Sequence, residues 1–148
     1  MMGKAYVVEY YDNLANSYLE LYGSESLSGY HKAAYLVRRG SRVLDLGCGM
    51  GLGAGYFLGS SRYVGVDVSL GMLRLAKAWD ADLVCGDGEM LPLRDSSFDV
   101  VIMINVVDSE RGDSLMREAA RVGSLVVAVS PRESDNLFLM SRGAIIPE

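Results

Sequence analysis

Residues 43–53 read VLDLGCGMGLG, a short apolar run followed by four glycines at alternate positions. The apolar run is typical of a buried strand in a parallel sheet. Glycines directly after such a strand leave the backbone bare, so that a ligand can approach it closely. A helix predicted at residues 52–58 would point its free N–H groups at the same place. This segment therefore predicts a strand, a turn and a helix with a ligand site at the turn.

Predicted strands alternate with predicted helices through the rest of the chain. Strands are predicted at residues 63–67, 83–85, 98–104 and 125–130, and helices at residues 70–79 and 109–122. Ser69 is placed to cap the first of these two helices. Alternation of this kind predicts a parallel sheet with right-handed crossovers, and hence an α/β fold.

The two ends of the chain lie outside this alternation. Residues 5–38 contain no proline and carry apolar or aromatic side chains at helical spacing, which predicts helices interrupted at Gly23 and Ser24. After Pro131, the final segment predicts one further strand at residues 137–140. Its length leaves no room for both a helix and a two-stranded hairpin.

Two carboxylates flank the glycine turn. Asp67 ends the second predicted strand, twenty residues after Gly47, where a carboxylate accepts the hydroxyls of a ribose in dinucleotide-binding folds. The turn and Asp67 together predict a ligand that contains a nucleoside. Asp45 ends the first strand, where a carboxylate is poorly matched to a pyrophosphate and suits an ammonium or sulfonium group.

A second interpretation of the same turn remains open. Gly49, Gly51 and Ala54 fit the G-x-G-x-x-G/A spacing of dinucleotide-binding proteins. That register starts the motif two residues late relative to the strand. We therefore rank a NAD-type dinucleotide-binding oxidoreductase second.

Composition predicts one cytoplasmic domain. The chain has 148 residues, 50% of them hydrophobic and 22% charged, which is the balance of a globular domain that buries a core. Its apolar runs are shorter than the roughly 20 residues that span a bilayer, and its acidic N-terminal segment is unlike a secretory signal. Two cysteines and one histidine argue against disulfide frameworks and a metal site, and a net charge of −5 disfavours unaided nucleic acid as a partner.

Three segments, in order and at matching spacing, resemble the motifs of class I S-adenosylmethionine-dependent methyltransferases, especially the methyltransferase type 11 or UbiE-like group. Residues 43–51 resemble the first motif, residues 64–73 the second, and residues 86–101 the third and fourth together. Residues 10–18 are similar to the family's lid helix. The resemblance extends over residues 9–131.

The resemblance implies a single methyltransferase domain at residues 1–148. Its fold would be a Rossmann-like, doubly wound, mainly parallel sheet in the order 3-2-1-4-5. A helical lid is implied at residues 1–39, a cofactor-binding core at residues 40–131 and a short C-terminal segment at residues 132–148. The implied activity is transfer of a methyl group from S-adenosyl-L-methionine to an acceptor that the sequence does not identify.

The resemblance also implies which residues contact the cofactor at the carboxyl ends of the first three strands. Gly47 and its neighbours would receive the methionyl part, with Asp45 near its amino group and Asn105 presenting a carbonyl to the ammonium. Asp67 would accept the ribose hydroxyls, and Asp87 would accept from the adenine amino group. The full set of implied contacts is Tyr11, Tyr18, Asp45, Gly47, Cys48, Gly49, Gly51, Asp67, Val68, Met72, Asp87, Gly88 and Asn105.

The remaining contacts implied by the resemblance concern the base and the lid. Val68 and Met72 would lie against the adenine, and Gly88 would offer its backbone N–H to the ring. Tyr11 and Tyr18 would close over the carboxylate of the cofactor from the lid.

No catalytic residue is predicted. The lone His31 is expected to be structural, and Cys48 and Cys85 read as small core residues. No Asn/Asp-Pro-Pro-Tyr run follows the fourth strand, so amino-group methylation of adenine or glutamine is not expected. Small-molecule or protein acceptors are favoured.

The segment after Pro131 is shorter than the helix and two strands with which the resembled family closes its sheet. The unpaired sheet edge that this predicts, near Leu137, Phe138 and Ile145, is a surface for a second subunit. We therefore expect a homodimer or a heteromeric partner that completes the substrate pocket. The same shortening keeps open a non-catalytic, cofactor-binding subunit of a larger complex.

Overall fold

The computed structural model describes residues 3–14, 18–106 and 111–148, with residues 11–14 and 18–22 described as backbone alone. The elements in chain order are α1 (Lys4–Leu14), α2 (Tyr18–Ala34), β1 (Arg42–Leu46), α3 (Ala54–Phe57), β2 (Arg62–Asp67), α4 (Leu70–Ala76), a 3-10 turn (Lys77–Trp79), β3 (Asp82–Cys85), β4 (Phe98–Ile104), α5 (Gly112–Val122), β5 (Gly123–Val129) and α6 (Glu133–Ser141). The five strands form one parallel sheet in the order β3-β2-β1-β4-β5. The predicted fold class is confirmed.

Helices cover both faces of the sheet, as a parallel sheet requires. Successive side chains of a strand point to opposite faces, so β1 sends Val43 to the layer beneath α2 and Leu44 to the layer beneath α5. In β4, Ile102 joins the α2 layer and Val101 joins the α5 layer. Because both faces are buried, these strands read as continuous apolar runs in the sequence.

The N-terminal helix α2 runs through Gly23 and Ser24, so the predicted interruption there is wrong. Helical glycine is tolerated here because the helix packs closely on the sheet. A Cβ at Gly29, one and a half turns further along, would lie 2.6 Å from the Cγ2 atom of Ile104 on β4. Close packing of backbone on strand offsets the poor helical propensity of glycine.

The C-terminal segment folds differently from the prediction. Residues 137–140 belong to α6 and not to a strand, and Leu139 is fully buried in the α5 layer. After α6 the chain turns back along the sheet, where the Ile145 N–H donates to the Val126 carbonyl and the Ala128 N–H donates to the Ile145 carbonyl. The outer edge of β5 is therefore partly paired by the chain itself.

Polar contacts between the first turn of α6 and the end of β5 explain where the chain folds back. The backbone N–H of Ser130 donates to Oδ1 of Asn136 at 2.8 Å, and Nδ2 of Asn136 donates to the Ser130 carbonyl at 3.0 Å. Oγ of Ser130 also bonds to the carboxylate of Asp135. These contacts fold the chain back just after β5, because side chains from the first turn satisfy backbone groups at the strand end.

A buried carboxylate joins four parts of the fold beneath the glycine turn. Asp45 of β1 has no exposed surface and accepts from the hydroxyls of Tyr30 on α2, at 2.9 Å, and of Tyr63 on β2, at 2.5 Å. A Cβ at Gly53 would lie 2.6 Å from Oδ2 of Asp45 and 2.5 Å from the Tyr30 ring. The end of the glycine turn is thus packed directly on this network.

Burial raises the pKa of the Asp45 carboxyl to about 7, against the lowering effect of the hydrogen bonds from Tyr63 and Tyr30. The negative charge of Asp67 acts in the same direction as burial.

Within the described residues, no helix has the length and apolar character needed to cross a membrane.

The raised pKa of Asp45 predicts a pH dependence of stability. Between about pH 4 and pH 7 the folded chain holds the proton and the unfolded chain releases it, so the free energy of unfolding falls as pH rises through this interval. The amide of Asp45→Asn does not titrate. Between pH 5 and pH 8 the free energy of unfolding of this variant should therefore fall by less than that of the wild type. Urea unfolding at both pH values measures the difference. The exposed Asp82→Asn is the control, and an equal fall for all three proteins contradicts the prediction.

Candidate functional site

A cavity of about 280 Å³ lies at the carboxyl ends of β1 to β4, where the strand order reverses between β1 and β4. Such switch points are where open α/β sheets bind ligands. The wall includes the first turns of α1, the glycine turn, the loops after β2, β3 and β4, and the start of α5. Its lining residues are Lys4, Val7, Leu46, Gly47, Gly49, Val66, Asp67, Val68, Met72, Gly86, Asp87, Gly88, Ile104, Asn105, Val106, Arg111 and Leu115.

The glycines of the turn serve different neighbours. Gly47 and Gly49 border the cavity; a Cβ at Gly47 would collide with Val106, and one at Gly49 would lie 3.0 Å from the Cε atom of Met72. Gly49 also has a φ of +56°, which side-chain-bearing residues rarely adopt. A Cβ at Gly51 would instead lie 2.8 Å from the ring of Trp79, so this glycine allows close packing behind the turn.

Several backbone amides of the glycine turn are paired within the chain. The N–H groups of Gly47 and Cys48 donate to the Val66 carbonyl, at 2.8 and 2.9 Å, and the Gly49 N–H donates to Oδ2 of Asp67 at 2.9 Å. The N–H of Ala54, the first residue of α3, donates to the carbonyl of Gly51 within the turn. The N–H of Ala54 is therefore not free, and at Gly47, Cys48 and Gly49 the turn presents paired backbone where phosphate-binding loops present free donors.

Asp67 holds the turn and the next helix together. Its Oδ2 accepts from Gly49, and its Oδ1 accepts from the backbone N–H of Ser69 at 2.9 Å. Ser69 in turn caps α4, as predicted, because its Oγ accepts from the N–H of Met72 at 3.2 Å. These two backbone bonds orient Asp67 on the cavity wall.

Asp87 lies on the opposite wall, after β3. Its Oδ1 accepts from the backbone N–H of Glu89 at 2.9 Å, and its Oδ2 accepts from Nζ of Lys4 at 2.6 Å. Partial burial by itself raises the pKa of Asp87, but the hydrogen bonds from Lys4 and Glu89 and the charges of Lys4 and Arg111 hold it below its ordinary value. Asp87 is therefore an ionised acceptor at neutral pH.

Asn105 follows β4 at the inner end of the cavity. Its φ of +58° is in the left-handed region, which asparagine adopts more readily than most residues. Its backbone N–H donates to the carbonyl of Val129 at 2.8 Å, which ties this strained turn to the end of β5. A held, strained backbone beside a cavity is typical of functional sites.

The structure brings eight of the sequence-predicted contacts to one cavity, namely Gly47, Gly49, Asp67, Val68, Met72, Asp87, Gly88 and Asn105. Asp45, Cys48 and Gly51 lie outside the lining. Asp45 points into the α2 layer because it alternates with Leu44 and Leu46, and Cys48 is buried with its Sγ near Gly65. The side chains of Tyr11 and Tyr18 lie outside the described residues.

Sequence reasoning missed nine lining residues. Five of them adjoin predicted contacts at the strand ends, namely Leu46, Val66, Gly86, Ile104 and Val106. The other four, at α1 and at the start of α5, are Lys4, Val7, Arg111 and Leu115. Lys4 and Val7 are one helical turn apart on α1, so a shared face could have been read from spacing. No sequence signal connects Lys4 with Asp87, which is 83 positions away. The likeness of the N-terminal segment to a lid helix pointed only to Tyr11 and Tyr18.

Several similar curated proteins are named as methyltransferases. The demethylmenaquinone methyltransferase of Corynebacterium urealyticum is 40% identical over 98 residues, which are 60% of this chain and 41% of that protein. The 18S rRNA (guanine-N(7))-methyltransferase of Bos taurus is 31% identical over 122 residues, which are 69% of this chain and 43% of that protein. The chain thus spans less than half the length of these relatives.

Solved structures share the fold at low identity. One of them is magnesium protoporphyrin IX methyltransferase from Synechocystis PCC 6803, crystallised with bound S-adenosylmethionine. It has a TM-score of 0.71 at 17% identity, and the alignment covers 95% of this chain and 85% of that chain. The methyltransferase in complex with the Haloferax volcanii Trm112 activator has a TM-score of 0.72 at 23% identity, over 87% of this chain and 63% of that chain.

The family model described as "Methyltransferase domain" matches residues 44–125, which are 82 of the 148 residues. The matched stretch contains the glycine turn, Asp67 and Asp87, the features that build the cavity. The chain belongs to this methyltransferase domain family.

Proposed function

We propose that this chain binds S-adenosyl-L-methionine in the cavity and transfers its methyl group to an acceptor. The observation that carries the proposal is the pair of carboxylates, Asp67 and Asp87, on the wall of a cavity floored by bare glycine backbone. Acceptor side chains suit a ligand that presents hydroxyl and amino donors, as an adenosyl group does. Membership of the methyltransferase family and the names of the relatives support the same activity.

The residues present fit this cofactor. Asp67 would accept the ribose hydroxyls, and Val68 and Met72 would provide an apolar surface for the base. Asp87 would accept from the exocyclic amino group, with the Gly88 backbone beside the ring. Gly47 and Gly49 leave room for the methionyl part, because a side chain at either position would meet a neighbour already in place.

The pairing of the turn's amides favours this ligand over a NAD-type dinucleotide. A pyrophosphate needs free N–H donors, whereas the Gly47, Cys48 and Gly49 amides donate within the chain. Asp45, buried beneath the turn, contributes through the fold and not through contact.

The bound cofactor supplies a methyl group already activated on a sulfonium. The chain's own residues hold the adenosyl part against the strand ends and leave the methyl accessible to an acceptor. A general base is needed only where the acceptor atom carries a proton that keeps it unreactive. We assign no residue to that role.

The proposed class of methyl acceptor follows from the charge of the chain. We propose a small-molecule or protein acceptor in the cytoplasm, since a net charge of −5 disfavours unaided nucleic acid.

Apolar side chains beside β5 suit a second subunit even though this sheet edge is partly paired. The exposed fractions of Leu137, Met140 and Ile145 are 58%, 55% and 42%. The domain would comprise the predicted lid, core and C-terminal segment, residues 1–39, 40–131 and 132–148.

Asp67→Ala should weaken binding of S-adenosylhomocysteine by about 1–3 kcal/mol, because ribose hydroxyls would face an apolar wall. Isothermal calorimetry measures the affinity, with Asp82→Ala as a control that removes an exposed carboxylate. Asp67→Asn keeps one oxygen that can accept from the Gly49 or Ser69 amide. This variant checks that the loss of affinity in Asp67→Ala does not come from unfolding of the turn. Unchanged affinity in both Asp67 variants counts against the assignment, and tighter binding of NAD by the wild type would favour the dinucleotide alternative.

Gly49→Ala should weaken the same binding by about tenfold or more, because its Cβ would enter the cavity wall beside Met72. Gly40→Ala is a matched control. Gly40 has a φ of +85° and nothing within 4 Å of the position that a Cβ would take, so it carries the backbone strain without the cavity. If both variants bind like the wild type while remaining folded, the turn is not the ligand's floor.

A second subunit would show in the mass of the protein in solution. Light scattering at micromolar concentration should give a dimer, or a monomer that lacks methyl transfer until a partner is added. A strict monomer that methylates a small acceptor unaided contradicts the proposal that a partner completes the pocket. Absence of transfer with every partner tried, together with tight cofactor binding, would favour the non-catalytic subunit.

A further inference from the structure

Lys4, at the start of α1, forms the closest ionic contact on the cavity wall that the described residues provide. Its Nζ lies 2.6 Å from Oδ2 of Asp87 and 3.2 Å from Oε2 of Glu89. Lys4 and Val7 both line the cavity, and α1 packs against α4. One ammonium group therefore links the N-terminal helix to two carboxylates that follow β3.

The two oxygens of Asp87 have different partners. Oδ1 is engaged by the backbone N–H of Glu89, and only Oδ2 is engaged from α1. An ammonium on Oδ2 leaves that oxygen a further lone pair, so it can accept a second donor. Each oxygen can therefore accept a further donor, and the contact with Lys4 fixes the direction in which the carboxylate points.

The Lys4 ammonium offsets the repulsion between the carboxylates of Glu89 and Asp87. The Glu89 carboxylate is largely buried, with 16% of its side chain exposed, and it lies beside Asp87 on the same positive charge. Two neighbouring carboxylates repel each other unless a cation lies between them. Asp87 itself is 38% exposed and has room to turn outward once that cation is lost.

We propose that Lys4 is a positioning residue for the purine base, which acts through Asp87 by holding its carboxylate towards the cavity. An ionised carboxylate held in this way accepts from the 6-amino group of adenine and is mismatched to the 6-oxygen of hypoxanthine, because both are then acceptors. Lys4 therefore contributes to discrimination between 6-amino and 6-oxo purines. This inference rests on the proposed function, since it takes the ligand to be an adenosyl compound.

The test compares S-adenosylhomocysteine with S-inosylhomocysteine by calorimetry; the inosyl ligand has an oxygen in place of the 6-amino group and a hydrogen on N1. In Lys4→Met, the dissociation constant for the adenosyl ligand should rise about three- to fivefold, and that for the inosyl ligand should stay within error. Lys4→Arg should restore the wild-type ratio, because it keeps the charge. Lys32→Met, which removes an exposed lysine of α2 outside the cavity lining, is the matched control and should change neither constant.

Each other outcome overturns the inference in a distinct way. An equal loss for both ligands in Lys4→Met would mean that Lys4 only anchors α1. Tighter adenosyl binding would mean that Lys4 competes with the base for Asp87. If the wild type binds the adenosyl ligand and Lys4→Met keeps the wild-type ratio, the role of Lys4 is wrong and the proposed function stands; if the wild type binds neither ligand, the proposed function itself fails.

Discussion

The carboxylate of Asp67 is the contact on which the site depends. It accepts one backbone N–H from the glycine turn and one from the residue that caps α4, so a single side chain fixes two chain segments at the end of β2. Hydrogen bonds to an ionised acceptor are stronger than those between neutral groups. The turn keeps its open shape because this carboxylate, and not a ligand, satisfies the Gly49 amide. The cavity is therefore preformed on this side.

The opposite wall is held by ion pairs between side chains, whereas backbone hydrogen bonds hold the first. Asp87 and Glu89 follow a short strand at the sheet edge, where no further strand of the described residues covers them, and Lys4 brings a counter-charge from the other end of the sequence. One wall of the cavity is thus rigid and local, and the other depends on where α1 lies. The affinity for a ligand that contacts both walls therefore depends on the contact between the N-terminal helix and the segment after β3.

Most of the sheet could be predicted from the sequence because its strands are short, largely apolar runs bounded by glycine or polar residues, although β3 at the edge is only partly buried. β4 begins and ends where predicted, and the Ser69 cap follows from local side-chain chemistry. Three features were beyond such reasoning. The partners of Asp45 are two tyrosines brought together only by the tertiary fold, α6 depends on contacts of Asn136 with the end of β5, and Lys4 meets Asp87 across 83 positions. Local pattern predicts elements, whereas long-range polar contacts follow from packing.

The packing of Trp79 behind the glycine turn gives the protein a built-in optical reporter. Trp79 is the only tryptophan of the chain, and its ring lies 2.8 Å from a Cβ built at Gly51 and 3.2 Å from one built at Gly55. The indole is 42% exposed, so its emission is sensitive to small changes in solvent contact. Displacement of the turn would change this fluorescence, so the unlabelled protein reports whether the preformed wall keeps its shape when the cavity is occupied.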